Sequence, residues 1–163
     1  ESFGRSDLEA ADADMLALAI ETETALGGRE LTIRIGDALD LLDSAESTDL
    51  IFLDLYTDTG PAVGHLAWKF LENCQQRLNP GGWLIINQWA ANDGKPLGAA
   101  LLRGLFHRHY WEIPVKEGNV ILIIPAGLEQ ELDLLDLQAR DEQLAPQLGY
   151  SLLPLIKAVR PAS

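Results

Sequence analysis

Residues 50–62 read LIFLDLYTDTGPA, and the interpretation of the rest of the chain depends on this stretch. It begins with an uninterrupted apolar run, Leu50 to Leu53, which is too short for a stable helix and rich in residues that favour strands. We therefore predict a strand that is buried on both faces, as in the centre of a parallel sheet. The run stops at an acid, Asp54, and Gly60-Pro61 follows shortly afterwards.

Asp54 is predicted to stand at the carboxyl end of this strand. In open α/β sheets the ligand crevice lies outside the carboxyl ends of the strands, so an acid at this place can take part in binding or in chemistry. Asp is also frequent in turns and at helix N-caps, where it only satisfies nearby backbone N–H groups. Position alone leaves both interpretations open.

The composition of the chain limits the classes of partner. Its 163 residues are 47% hydrophobic, which is enough for one core in a single domain spanning residues 1–163. Twelve Lys and Arg residues against 25 Asp and Glu residues give a formal net charge of −13. Such a field repels phosphate backbones and anionic membrane surfaces and attracts cations. We therefore expect no nucleic acid and no membrane as a partner, whereas a cationic small molecule is compatible.

Cysteine and histidine are too few to build a metal site of the usual kind. The single cysteine, Cys74, excludes a disulfide within the chain, and three histidines give no cluster at metal-ligand spacing. Cys74 lies on the apolar stripe of a predicted helix, which indicates a packed thiol rather than a reactive one. We recognise no signal peptide and no apolar run of the ~18–20 residues that a membrane span needs. A cytoplasmic protein without a metal is expected.

Strand-like and helical segments alternate from residue 31 onward, which is the signature of an α/β domain with a mostly parallel sheet and helices on both faces. The predicted strands are 31–35, 50–53, 83–86, 111–115 and 120–124. The last two are separated by a tight turn, which predicts an antiparallel hairpin at the edge of the sheet. The predicted helices are 8–26, 39–42, 65–78, 96–109 and 128–148, followed by a short helix near residue 155. Because so few strands make a small sheet, we expect its N-terminal part to be incomplete.

Polar side chains follow three of these strands: Asp37, Asp54 and Asn87. Asp37 is open to the same two interpretations as Asp54. Asn87 and the adjacent Gln88 could reach the crevice, or they could satisfy local backbone groups, as amides at strand ends frequently do.

Several motifs occur along the chain in a recognisable order. They are Gly36-Asp37-Ala38, residues 51–56 (IFLDLY), Gly60-Pro61-Ala62, residues 78–83 (LNPGGW), Asn87-Gln88-Trp89 and residues 117–120 (EGNV). This series resembles the second half of the spermidine synthase family of aminopropyltransferases, over roughly residues 31–126. An aspartate six residues before Gly-Pro-Ala is the more particular motif, whereas Pro-Gly-Gly before a strand is common to many methyltransferases. The family shares the S-adenosylmethionine-dependent methyltransferase fold, so the resemblance implies a Rossmann-like sheet of that type.

Members of this family take part in polyamine biosynthesis by transferring an aminopropyl group from decarboxylated S-adenosylmethionine to an amine. The resemblance implies that Asp37 accepts a hydrogen bond from the adenine amino group, with Ala38 beside the ring. It implies that Asp54 binds the attacking amine and takes its proton, and Tyr56 lies where it could line the same crevice. The expected co-substrate is decarboxylated S-adenosylmethionine or S-adenosylmethionine itself, and the expected acceptor is a small amine.

The chain departs from the family pattern in ways that keep other functions open. The family usually has a second aspartate three residues after the first, where this chain has Thr57, although Asp58 could replace it in substrate binding after a loop shift. We find neither the glycine-rich cofactor loop nor the N-terminal β-hairpin domain of the family. The alternatives are a non-catalytic scaffold or dimerisation protein and a small-molecule methyltransferase. An incomplete sheet would expose edges and apolar patches, so we expect a homodimer.

Overall fold

A computed structural model describes residues 34, 36–54, 56–57, 60–61, 66–116 and 118–162. The chain divides into two compact units, Glu1–Ser44 and Ala45–Ser163. In the first unit the described residues contain one short helix, α1 (Ala38–Asp43), close to the predicted helix 39–42. The predicted helix 8–26 and nearly all of the predicted strand 31–35 lie outside the described residues.

The described part of the second unit combines strands and helices, so the predicted α/β class is confirmed. The strands are β1 (Thr48–Leu53), β2 (Tyr56–Thr57), β3 (Gly60–Pro61), β4 (Leu78–Trp89), β5 (Trp111–Pro114), β6 (Asn119–Pro125) and β7 (Arg160–Pro161). The helices are α2 (Trp68–Gln76), α3 (Ala99–Leu105), α4 (Leu134–Leu148) and α5 (Leu153–Ala158).

Five strands of the second unit form a mixed sheet in the order β1-β4-β6-β5-β7. β1 and β4 are parallel, and β6 is antiparallel to both β4 and β5. The predicted antiparallel pairing of β5 with β6 is confirmed, but this hairpin lies inside the sheet because β7 continues it beyond β5. Among the described strands the pairing of β1 with β4 is parallel and the others are antiparallel, so this part of the sheet is mixed rather than mostly parallel.

The core is built on β4 and β6. A strand that is covered on one face buries every second residue, and both strands follow this alternation. The buried residues are Leu78, Gly82, Leu84, Ile86 and Gln88 in β4, and Val120, Leu122, Ile124 and Pro125 in β6. The alternation extends from Gly82 to Gln88 and from Val120 to Ile124. α2 adds Cys74, which is 1% exposed, and this burial raises the pKa of its thiol to about 12. The prediction of a packed thiol is therefore confirmed.

β1 forms where the apolar run predicted it, but its burial differs from the prediction. Phe52 is 69% exposed and Leu50 is 45% exposed, while Ile51 and Leu53 are half-buried. Within the described part of the chain β1 is the terminal strand of the sheet, with a hydrogen-bonded neighbour on one side. The prediction of burial on both faces is therefore wrong for this strand.

The segment 79–82 (NPGG), part of the motif at residues 78–83, lies within β4 as a bulge where the register with β1 shifts. Gly81 has a φ angle of +85°, which glycine adopts without strain. A Cβ atom on Gly82 would lie 2.9 Å from the carbonyl oxygen of Asp49, so a side chain there would collide with β1. The two glycines let β4 keep its pairing with β1 despite the extra residues.

The C-terminal segment forms the predicted short helix, α5, and then adds β7, which was not predicted. The Arg160 guanidinium in β7 lies 3.1 Å from the Glu112 carboxylate in β5, and it also donates a hydrogen bond to the carbonyl of Gly94. Glu112 is fully buried, and a buried carboxylate needs a partner of this kind. The ion pair therefore fixes β7 to β5 and to the loop that follows β4.

Replacing Leu84 by Ala should lower the free energy of unfolding by about 2–5 kcal/mol, because it leaves a cavity in the fully buried centre of β4. Urea denaturation followed by circular dichroism measures the change. The control is Leu135→Ala, which makes the same deletion at a side chain that is 77% exposed, where we expect a change within about 0.5 kcal/mol. Equal effects of the two substitutions would contradict the placement of the core.

Candidate functional site

The ends of three neighbouring strands meet at one edge of the sheet. Asp54 directly follows β1, and Asn87 lies near the carboxyl end of β4, which runs parallel to β1. β6 runs in the opposite direction, so its first residue, Asn119, lies at the same edge and pairs with Trp89. One acid and two amides, from three strands, are thus brought together.

These three side chains are joined by hydrogen bonds. Asn119 Nδ2 donates to Asn87 Oδ1 at 2.8 Å, and Asn87 Nδ2 donates to Asp54 Oδ1 at 3.0 Å. Asn119 and Asn87 are half-buried, whereas Asp54 is exposed. An exposed carboxylate of this kind can accept hydrogen bonds from an ammonium group and can take a proton from it.

The contact made by Asp54 favours the site interpretation over the turn interpretation. A turn or cap aspartate accepts hydrogen bonds from backbone N–H groups two or three residues away. Among the described residues, Asp54 accepts a hydrogen bond from a side chain 33 residues away in the chain. Asp54 is therefore held by the tertiary structure at the carboxyl edge of the sheet, where α/β proteins bind ligands.

Asp37 makes the local backbone contact that is expected of a helix N-cap. Its Oδ1 accepts a hydrogen bond from the backbone N–H of Leu39 at 2.9 Å, which makes Asp37 the N-cap of α1, and Ala38 is the first residue of that helix. Asp37 is exposed, and a carboxylate can accept further hydrogen bonds through its second oxygen. The contacts of Asp37 and Ala38 with adenine stay predictions.

The chain reverses direction immediately after Asp54. Tyr56 and Thr57 form β2, which pairs antiparallel with Gly60 and Pro61 of β3. A short hairpin thus begins at Tyr56, two residues after Asp54. Asp58 lies outside the described residues, and the roles of Tyr56 and Asp58 stay predictions.

Gln88 has a different function from its neighbour Asn87, because alternation along β4 points their side chains to opposite faces. Gln88 is fully buried, donates to the Leu97 carbonyl at 3.1 Å and accepts from the Trp89 backbone N–H at 2.9 Å. It therefore anchors the loop that follows β4. Of the two interpretations of these amides, backbone satisfaction applies to Gln88, whereas Asn87 contacts the side chains of Asp54 and Asn119.

Sequence reasoning gave Asn119 no role beyond the motif 117–120. A usable signal was present in the predicted hairpin. Antiparallel pairing brings the start of β6 beside the end of its neighbouring strand, so a polar residue at that start faces the carboxyl edge of the sheet. The missing information was that β6, rather than β5, is the neighbour of β4.

Two general features of the described residues bear on the kind of site. No group of three or more His, Cys, Asp or Glu side chains among them is arranged to hold a metal ion. His109, one of the histidines in the described part, contacts the Gln130 carbonyl through Nε2 at 2.8 Å. None of the described helices combines the length and apolar character needed to cross a membrane.

No protein-family model matches the chain. Among solved structures, the chain is similar to the crystal structure of human methyltransferase-like protein 13 in complex with SAH, with a TM-score of 0.58 and 23% sequence identity. The match covers 80% of this chain and 66% of that chain, so this chain spans slightly less than two thirds of the other's length. The fold is therefore the Rossmann-like methyltransferase fold expected from the sequence. The likeness does not single out the spermidine synthase family within that fold.

Replacing Gln88 by Glu should lower the free energy of unfolding by about 1–3 kcal/mol, because a carboxylate cannot donate to the Leu97 carbonyl and a charge would be buried. Urea denaturation at neutral pH measures the loss. Asn92→Asp is the control, since it converts an exposed amide in the following loop and should change stability by less than about 0.5 kcal/mol. A neutral Gln88→Glu would contradict the anchoring role.

Proposed function

We propose that the protein is a transferase that alkylates an amine, with an S-adenosyl sulfonium compound as the donor. The observation that carries the proposal is the exposed Asp54 carboxylate, held by Asn87 at the carboxyl edge of the sheet. The methyltransferase fold supports it, because ligands of such α/β sheets bind at this edge. The similar human protein was crystallised in complex with SAH, which is compatible with an adenosyl ligand here.

The proposed reaction needs a group that binds a cation and accepts a proton. An amine acceptor is an ammonium ion at neutral pH, and its nitrogen can attack only after it loses a proton. Asp54 binds the ammonium and takes that proton, as a general base does. The amine lone pair then attacks the carbon bonded to the sulfonium. The C–N bond forms as the C–S bond breaks, and the electron pair of the C–S bond remains on sulfur as a neutral thioether.

The charge of the chain suits a cationic acceptor. A formal net charge of −13 attracts cations to the surface and repels anions. The amides that support Asp54 are neutral, so they do not themselves compensate its negative charge. Because a sulfonium is a good leaving group, positioning of donor and acceptor supplies much of the remaining rate.

The motif series favours an aminopropyl group as the group transferred. In this form of the proposal the donor is decarboxylated S-adenosylmethionine and the product is methylthioadenosine. Asp37 accepts a hydrogen bond from the adenine amino group, Ala38 lies beside the ring, and Tyr56 lines the crevice. Asp58 assists in binding the acceptor, since Thr57 occupies the position of the family's second aspartate.

Methyl transfer to a small amine is the second candidate. It is favoured by the similarity to methyltransferase-like protein 13 in complex with SAH, and by Thr57, which removes one of the two charges expected for a diamine. Here the donor is S-adenosylmethionine and the product is SAH. The nucleoside that is released distinguishes the two candidates, because aminopropyl transfer gives methylthioadenosine instead.

Asp54→Asn should reduce the rate of transfer by about 10²- to 10⁴-fold, because the amide cannot accept the proton of the acceptor amine. The protein is incubated with putrescine and decarboxylated S-adenosylmethionine, or with putrescine and S-adenosylmethionine, and the released nucleoside is quantified by chromatography. Asp49→Asn is the matched control at the other end of β1, where the rate should stay unchanged.

The transferase proposal would be contradicted if the wild-type protein released neither methylthioadenosine nor SAH and calorimetry detected no binding of any adenosyl ligand. The non-catalytic scaffold would then be the remaining interpretation. A wild-type rate in Asp54→Asn would instead retain a transferase and remove Asp54 from the reaction.

The double role proposed for Asp37 can be separated with two substitutions. Asp37→Ala should lower stability by about 1 kcal/mol because the α1 cap is lost, whereas Asp37→Ser should retain the cap. Both should weaken the binding of methylthioadenosine or SAH by about 10- to 100-fold, because neither has a carboxylate for the adenine amino group. Isothermal titration calorimetry measures the binding, and thermal unfolding measures the cap. Unchanged ligand binding by Asp37→Ser would mean that Asp37 only caps the helix.

A further inference from the structure

We propose that Asn87 and Asn119 are positioning residues that fix the Asp54 carboxylate for the acceptor amine, an inference that rests on the proposed function. The three side chains form one directional chain, from Asn119 to Asn87 to Asp54, across three adjacent strands. Neither amide has a part in the proton transfer itself. Their effect passes through the orientation of the carboxylate.

The carboxylate needs such support because it is exposed. An exposed Asp side chain samples several rotamers, and holding it in one costs conformational entropy. The Asn87 amide, half-buried on β4, offers one fixed donor at 3.0 Å. Because this donor occupies Oδ1, we assign the acceptor amine to Oδ2.

Asn119 determines which end of the Asn87 amide faces the carboxylate. An Asn amide rotated by half a turn would direct its oxygen at Asp54 Oδ1, and two acceptors would then repel each other. The Asn119 donor, 2.8 Å from Asn87 Oδ1, favours the orientation in which the Asn87 NH₂ group faces Asp54. Asn119 therefore acts on Asp54 indirectly, through the orientation of the Asn87 amide.

The use of neutral amides also fits a cationic substrate. A Lys or Arg at position 87 would hold the carboxylate more strongly, but it would also compete with an ammonium ion for the same negative charge. An amide orients the acid and leaves its charge intact. The chain of amides is thus matched to amine binding rather than to the formation of a stable internal ion pair.

The same two strands contain a second bond of the same type, which serves as an internal control. Asn79 Nδ2 of β4 donates to Asp49 Oδ1 of β1 at 2.8 Å, at the opposite end of the pairing. Both bonds join an Asn of β4 to an Asp on the β1 segment. If the Asn87 bond only stabilised the pairing, its removal should have the same consequences as removal of the Asn79 bond.

The experiment compares Asn87→Ala, Asn119→Ala, the double variant and Asn79→Ala in the transfer assay. We expect Asn87→Ala to lower kcat/KM for the amine by about 10- to 100-fold, as loss of a hydrogen bond to a charged group predicts. Asn119→Ala should show a smaller loss, about threefold to tenfold. The double variant should be no worse than Asn87→Ala, because both residues act through one bond. Asn79→Ala should retain wild-type kinetics, and all four should bind the adenosyl donor as the wild type does.

Several outcomes would overturn the positioning proposal while retaining the transferase. These are wild-type kinetics in Asn87→Ala, multiplicative losses in the double variant, and an equal loss in Asn79→Ala. If the wild type shows no transfer at all, the proposed function fails. The series of hydrogen bonds from Asn119 through Asn87 to Asp54 is then tested separately, by NMR of the side-chain amides. The Asn87 NH₂ resonances should shift in Asp54→Ala and in Asn119→Ala but not in Asn79→Ala. Unchanged Asn87 resonances in Asn119→Ala would overturn the directional chain.

Discussion

The structure of the second compact unit depends on the backbone pairing of β4 with a strand on each side. β4 pairs in parallel with β1 and antiparallel with β6. Because side chains alternate along a strand, a shift of one residue in either register would exchange the buried and half-buried faces of β4. It would place Gln88 where Asn87 now lies and remove the amide from Asp54. Core and candidate site are thus set by the same hydrogen-bond ladders.

Two buried polar side chains of this sheet, Gln88 and Glu112, have partners outside their own strands. Gln88 joins β4 to the carbonyl of Leu97, and Glu112 in β5 is paired with Arg160 of β7. Burial, together with the nearby Glu112 charge, raises the pKa of Tyr110 to about 12, so this phenol stays neutral. The contacts of Gln88, Glu112 and Arg160 keep the loop after β4 and the C-terminal strand in place, next to the strands that contribute Asn87 and Asn119.

The candidate site combines one charged side chain, that of Asp54, with two neutral amides, those of Asn87 and Asn119. Its acid lies at the carboxyl edge of a methyltransferase-fold sheet, and its two amides come from strands that are already fixed by the core. A rigid element positions a functional group more reproducibly than a loop does. In the proposed site, this division lets Asp54 be exposed to a ligand while Asn87 holds its carboxylate in one orientation. The acidic character of the whole chain adds a long-range attraction for cations.

Local sequence determined much of the fold. The apolar run 50–53 and the alternation of strand and helix predicted β1 and the α/β class, because side-chain periodicity depends on neighbouring residues. The resemblance to an S-adenosylmethionine-dependent family predicted the methyltransferase fold. The strand end also marked Asp54 as a candidate site residue, because an acid directly after an apolar run can be recognised from the local sequence.

Only the tertiary structure decided which strands are neighbours and which side chains meet. The exposure of Phe52, the separate roles of Asn87 and Gln88, and the inclusion of Asn119 all follow from strand order and register. Order and register are set by contacts between segments that lie tens of residues apart, as the 33-residue separation of Asn87 and Asp54 illustrates. Periodicity within one segment cannot specify such pairings, because it records which face of a strand is apolar and not which strand that face adjoins.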